Sequence, residues 1–148
     1  MKRLIVRNVP VRNGMYDPSV EYDANGVGWM AYSRVTLPSK IDTLIAKSTN
    51  RGRTWRFVKV VNASVAGSVR RDGELIKGVW RYETPSLVHD PRDARKRRWK
   101  LFTHRYLVRA PYGDEDRDLV GGHIEYRYAA APQGPWSKPM RLFGKAET

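Results

Sequence analysis

"YDPSVEYDA", residues 16–24, returns as "ETPSLVHDP", residues 83–91. Each stretch carries an acid, Pro-Ser, an apolar residue, any residue, an aromatic or His, and Asp. The strand-like segments around them return in the same order. The first half reads "SVEY" (19–22), "GWMAYSRV" (28–35), "DTLIAKS" (42–48) and "RFVKVVN" (56–62). The second reads "SLVHD" (86–90), "RWKLFTHRYL" (98–107), "HIEYRYAAA" (123–131) and "PMRLF" (139–143). All are short, rich in Val, Ile, Tyr and Trp, and punctuated by Gly, Pro, Asn and Asp, the pattern of strands rather than helices. Position by position, Pro18-Ser19-Val20 answers Pro85-Ser86-Leu87, Asp23 answers Asp90, Trp29 answers Trp99, and Ile45-Ala46 answers Tyr128-Ala129. The turns "NRGRTW" (50–55) and "APQGPW" (131–136) also correspond.

Four antiparallel strands repeated as a unit predict propeller blades. The expected fold is all-β: two four-stranded antiparallel β-propeller blades forming a partial propeller. Segment 63–82 bridges them, with a hairpin turn expected at Arg71-Asp72-Gly73. Propellers typically close with about four to eight blades, and isolated repeats leave faces and strand edges uncovered. The chain is therefore expected to be a piece of a longer protein, a protomer of a homo-oligomer, or a two-sheet stack that stands alone. Its end at "RLFGKAET", directly after a fourth strand, favours the first.

At 148 residues, with 41% hydrophobic and 29% charged, the composition is that of one globular domain. No apolar run reaches the roughly 18 residues of a membrane span. Arg7 interrupts the apolar N-terminal stretch, so it does not read as a signal peptide, and the compartment stays open. Zero cysteines exclude disulfides and thiol chemistry. The net charge of +13 favours anionic partners, and its densest cluster is "RDARKRRWK", residues 92–100. That cluster reads first as a solvated hairpin tip; the alternative is a basic module binding polyanions. Nucleic acid is disfavoured as a partner, because no recognition fold is present and the aromatics do not interleave with the basic residues.

"STNRGRTW", residues 48–55, resembles the Asp-box of sialidases and related propellers, with Asn50 where Asp is usual. Its physical role is a turn: Gly52 permits positive φ, Asn50 bonds neighbouring amides, and Trp55 buries against the blade. "YDPSVEYDANGVGWMAYS" resembles the first blade of five-bladed arabinanase, xylosidase and invertase-type glycosidases, and "YETPSLVHDPRDARKRRWKLFTHRY" a later blade. The resemblance implies a carbohydrate-active, glycoside-hydrolase-like module, with Asp17 as base or nucleophile and Glu83 as proton donor. Two carboxylates, one protonated and one ionised, are what glycosidic cleavage requires; a separation of about 6.5–9.5 Å gives inversion and about 5–5.5 Å retention. The resemblance further implies a carbohydrate partner, often an exported protein, and no cofactor. It departs from the pattern in lacking a third carboxylate: Asp42 and Asp72 are the only spare acids, and neither carries the motif. On this reading the chain divides into a lead-in (1–15), a first blade (16–62) with the Asp-box-like turn at 48–55, a connecting hairpin (63–82), a second blade (83–143) and a tail (144–148).

Tyr16 and Trp80 lie beside the candidate acids and could stack on sugar rings, while Trp29 and Trp99 read as core. His104-Arg105, with Arg81, are candidates to bind a substrate, since Arg recognises planar anions bidentately. His89, His104 and His123 are scattered and form no metal-binding spacing. Asp114, Asp116, Asp118 and Glu125 fall at calcium-loop spacing, but Leu119 replaces the required Gly, so a solvated acidic loop is the better reading. A non-catalytic carbohydrate- or protein-binding propeller remnant is the competing function.

Overall fold

The computed structural model describes residues 5–8, 13–109 and 119–142. Strands form where the composition expects them: β2 (Gly14–Tyr22), β3 (Gly28–Thr36), β4 (Lys40–Ser48) and β5 (Trp55–Asn62) in the first half. β6 (Val65–Arg71), β7 (Glu74–His89), β8 (Trp99–Arg109) and β9 (Leu119–Ala129) follow. Two short strands, β1 (Val6–Arg7) and β10 (Met140–Arg141), complete the set. They build two curled sheets of five strands, ordered β1-β5-β4-β3-β2 and β10-β9-β8-β7-β6. Only β1 against β5 is parallel among these pairs.

The expected four-stranded units thus each carry a fifth strand. In the first sheet the addition is β1, at the outer edge. In the second it is β6, which is joined to β7 by the two-residue turn Asp72-Gly73, both at positive φ (50° and 82°). Residues 63–82 hold the β6–β7 hairpin, and β7 runs without interruption through residues 74–89 into the second repeat. The expected last strand, 139–143, is reduced to Met140–Arg141, and Phe143 and the tail 144–148 lie outside the described residues.

β2 and β7 share a device. In β2 the pairing passes from Tyr16↔Ser33 to Ser19↔Ala31, and in β7 from Glu83↔His104 to Ser86↔Phe102, so each strand carries one extra residue. Such a bulge bends the strand and re-aims its side chains. Asp17 and Thr84 take φ of 53° and 49° there, each directly before a proline. The repeated phrase is therefore a bulge followed by a turn. Asp23 Oδ1 accepts the amides of Asn25 and Val27 at 2.9 and 3.0 Å, and its Oδ2 accepts from Trp29 Nε1 at 3.1 Å. Asp90 Oδ1 likewise accepts the Arg92 amide at 3.1 Å.

Burial tends to push the Asp23 carboxyl up, but the bonds from Trp29, Val27 and Asn25 outweigh it and hold the carboxyl below its ordinary range. Asp23→Ala should cost about 1–3 kcal/mol at neutral pH, because the indole and two amides lose their acceptor. A group with a depressed folded pKa stabilises above its unfolded value, near about pH 4, and loses that contribution as pH falls through the folded value. The melting-temperature gap between wild type and variant should accordingly narrow below about pH 4.

With Ser19 matched to Ser86, the ladders place Ala31 opposite Phe102 in the repeat, and Met30 opposite Leu101. Trp29 and Trp99 are therefore one residue out of step, which in a strand means opposite faces. The two indoles instead meet across the intersheet interface, edge to face at 6.4 Å. Trp29, Ala31 and Ile45 of the first sheet pack there against Leu87, Trp99 and Leu101 of the second, with Trp136 at the margin. The face that the second sheet turns inward is thus the equivalent of the face that the first turns outward, where Val6, Met30, Tyr32, Leu44, Ala46 and Trp55 form their own cluster. The sheets stack front to back. Polar bonds cross the interface too: Thr43 Oγ1 donates to the Tyr82 carbonyl at 3.2 Å, and Asn62 Nδ2 donates to Thr103 Oγ1 at 3.3 Å.

Candidate site at the paired bulges and the neighbouring cleft

The Leu87 amide donates to Ser19 Oγ at 2.9 Å, which ties β7 to β2 within two or three residues of both bulges. The two acid-bearing segments are therefore neighbours. The acids themselves occupy adjacent rather than equivalent positions: Asp17 is the bulge residue, whereas Glu83 matches Tyr16 and Thr84 matches Asp17. Asp17 is exposed and accepts from Ser33 Oγ at 3.3 Å. Glu83 is half-buried and hydrogen-bonds the Tyr106 hydroxyl, which Arg81 also engages. Burial pushes that hydroxyl well above the ordinary tyrosine range; Arg81 opposes the shift and the Glu83 charge adds to it.

Arg81 is buried and donates through Nε to the Ser39 carbonyl at 2.8 Å and through Nη2 to the Pro38 carbonyl at 3.1 Å. It therefore anchors the β3–β4 turn to β7. His104 lies directly opposite Glu83 in the β7–β8 ladder and tilts over Tyr106 at 5.0 Å. Glu83, Arg81, His104 and Tyr106 form one cross-strand group. Tyr16 stands apart on the first sheet, 53% exposed. Asp42 is engaged structurally: Arg34 Nη2 bonds its Oδ2 at 2.7 Å and the Ser64 amide its Oδ1 at 2.7 Å.

Trp80 and Arg105 meet elsewhere. The Arg105 guanidinium lies over the Trp80 ring at 4.0 Å and 5.8 Å from Tyr82. Together with Ser68, Arg70, His123 and Arg141 they line a cleft of about 290 Å³. His123 Nδ1 sits 3.0 Å from the Gly121 carbonyl, which can only accept, so Nδ1 carries the hydrogen and Nε2 turns toward Glu125 Oε2 at 3.7 Å. Glu125 is 3% exposed, and its Oε1 has no hydrogen-bond partner. Sequence reasoning grouped Tyr106 with His104 and Arg105 but missed His123 and Glu125 as members of these groups; only the ladder register, which pairs Arg105 with His123, brings them in.

The turn at 48–55 is built as its residues suggest. Ser48 Oγ accepts the Gly52 amide at 2.9 Å, Asn50 Oδ1 accepts the Thr54 amide at 2.9 Å, and Trp55 is buried. At the basic tip a 3-10 turn spans Arg95–Arg97, and Lys100 Nζ pairs with Asp93 at 2.8 Å and Asp90 at 3.4 Å. The Asp93 bond is the largest cause of the raised Lys100 pKa; the Asp90 bond and the charges of both carboxylates add to it, with partial burial opposing. Asp114, Asp116 and Asp118 lie outside the described residues.

No family model matches the chain, and no curated protein matches it. Among the described residues no helix is long and apolar enough to cross a membrane, and no group of three or more His, Asp or Glu is placed to hold a metal ion.

Proposed function

We propose that the chain is a carbohydrate-directed β-propeller module of the sialidase and five-bladed glycosidase kind, with Asp17 and Glu83 as its acid pair. The observation that carries this reading is the pair of matched bulges. Each holds a non-glycine residue at positive φ before a proline, a conformation that costs about 1–3 kcal/mol and is retained where the surroundings enforce it, commonly at functional sites. Asp17, exposed, suits the ionised base or nucleophile. Glu83, half-buried and bonded to Tyr106, suits the proton donor to the leaving oxygen. The turn at 48–55 and the front-to-back stacking of the sheets support the propeller assignment.

Hydrolysis of aryl glycosides is the direct test. Asp17→Asn and Glu83→Gln should each lower kcat by about 10²–10⁴-fold while leaving the thermal melt in place. Wild-type protein that releases no aryl alcohol from a panel of pyranosides and furanosides would remove the catalytic reading. A non-catalytic carbohydrate-binding module is the second reading. It is favoured by the offset between the two acids, which the repeat does not place at equivalent positions.

A further inference from the structure

We propose that the cleft between the β6–β7 hairpin and the β8–β9 ladder is an oxyanion site that takes a phosphate or sulfate group, either free or as an ester. This site is separate from the acid pair: neither Asp17 nor Glu83 lines it.

Charge is the first argument. Among the described residues the lining includes Arg70, Arg105, Arg141 and His123 and no carboxylate. Glu125 does not line it; its Oε2 lies 3.7 Å from His123 Nε2. Arg70 and Arg105 bring two permanent positive charges into a partly enclosed space, which is unfavourable by Coulomb repulsion, and a bound anion relieves it.

The second argument is an unmet hydrogen bond. Among the described residues Arg105 Nε is buried without a hydrogen-bond partner, and a buried charged donor left unpaired costs more than the roughly 1–3 kcal/mol of a neutral one. Its guanidinium carbon lies 4.0 Å from the centre of the Trp80 ring, a contact that restrains the fork beside the cleft. Oxyanions match that fork bidentately, and phosphate and sulfate also offer oxygens in further directions, which suits donors converging from β6, β8 and β9. The volume of about 290 Å³ exceeds that of a bare tetrahedral anion, and Trp80 supplies an aromatic wall for whatever the ester carries.

The test is isothermal titration of the 148-residue chain with inorganic phosphate, inorganic sulfate and glucose 6-phosphate at constant ionic strength. Saturable one-site binding is expected, with Arg105→Gln weakening it by at least about tenfold and Arg105→Lys by less. Arg95→Gln, the same charge change placed on the basic tip, should leave it unaltered. Tighter binding of glucose 6-phosphate than of inorganic phosphate would place the ester's sugar against Trp80; equal affinities would make the free anion the ligand. No saturation up to about 10 mM, or equal losses in Arg105→Gln and Arg95→Gln, would overturn the proposal. Should Arg105→Gln fail to fold, Arg70→Gln carries the same comparison.

Discussion

Gly78→Ala is expected to abolish the folded state. Gly78 lies mid-strand in β7, paired with Gly67 of β6 on one side and Arg109 of β8 on the other. A Cβ there would fall onto the Val108 carbonyl oxygen, 2.8 Å from the Val108 carbonyl carbon and 3.2 Å from Arg109 Cα. All three are backbone atoms held in ladders, so no side-chain rotation relieves the clash. The cost should exceed about 4–5 kcal/mol, comparable with the whole stability of a small domain. Gly73→Ala is the control. Its φ of +82° carries strain, but nothing lies within 4 Å of the new methyl, so a loss of about 1 kcal/mol is expected. Soluble yield and far-ultraviolet circular dichroism separate the two; a Gly78→Ala protein that melts close to wild type would show that β7 and β8 can part locally.

Trp99→Ala should cost about 3–5 kcal/mol, as large aromatic truncations in a core do. Trp99 is 4% exposed, stacks on His89 at 4.3 Å and presents its edge to Trp29. The form of the transition matters as much as its midpoint. Because the truncated ring sits between the sheets, both should melt together and at lower temperature, in one calorimetric transition. Two resolved transitions, only one of them displaced, would mean that the sheets are independently stable and that their interface contributes little.

The strands of both halves were legible because they are short, rich in Val, Ile, Tyr and Trp, and bounded by Gly, Pro, Asn and Asp. The turn at 48–55 was legible because Ser48, Asn50 and Gly52 act locally, through bonds spanning only a few residues. Register was not. Matching Trp29 to Trp99 by identity missed by one position, and in a strand one position exchanges the faces. The extra residue in each bulge is invisible until the partner strand is seen, although the offset of the acids is written in the sequence, where Asp17 directly precedes Pro18 and Glu83 stands two places before Pro85. The cleft was half legible. Trp80 and Arg105 stood out by residue type, but they are 25 positions apart by number (105 − 80), and His123 is 18 further on (123 − 105). Only the β7–β8–β9 ladders bring them into contact.

Front-to-back stacking makes equivalent positions live under different constraints. Ala31 and Ile45 are 0% exposed, pinned beneath Leu87 and Leu101. Their ladder counterparts are Phe102 and, two positions before the Tyr128 that the sequence matched to Ile45, Tyr126; these stack on each other at 5.6 Å on the outer side of the second sheet, where they are only half-buried. A ring the size of Phe102 placed at position 31 would wedge the sheets apart, whereas an alanine at 102 would leave the intersheet packing untouched. The halves can therefore diverge at a matched site without either losing its strand order. Recombining them by swapping one half's sequence into the other's place would fail for want of room.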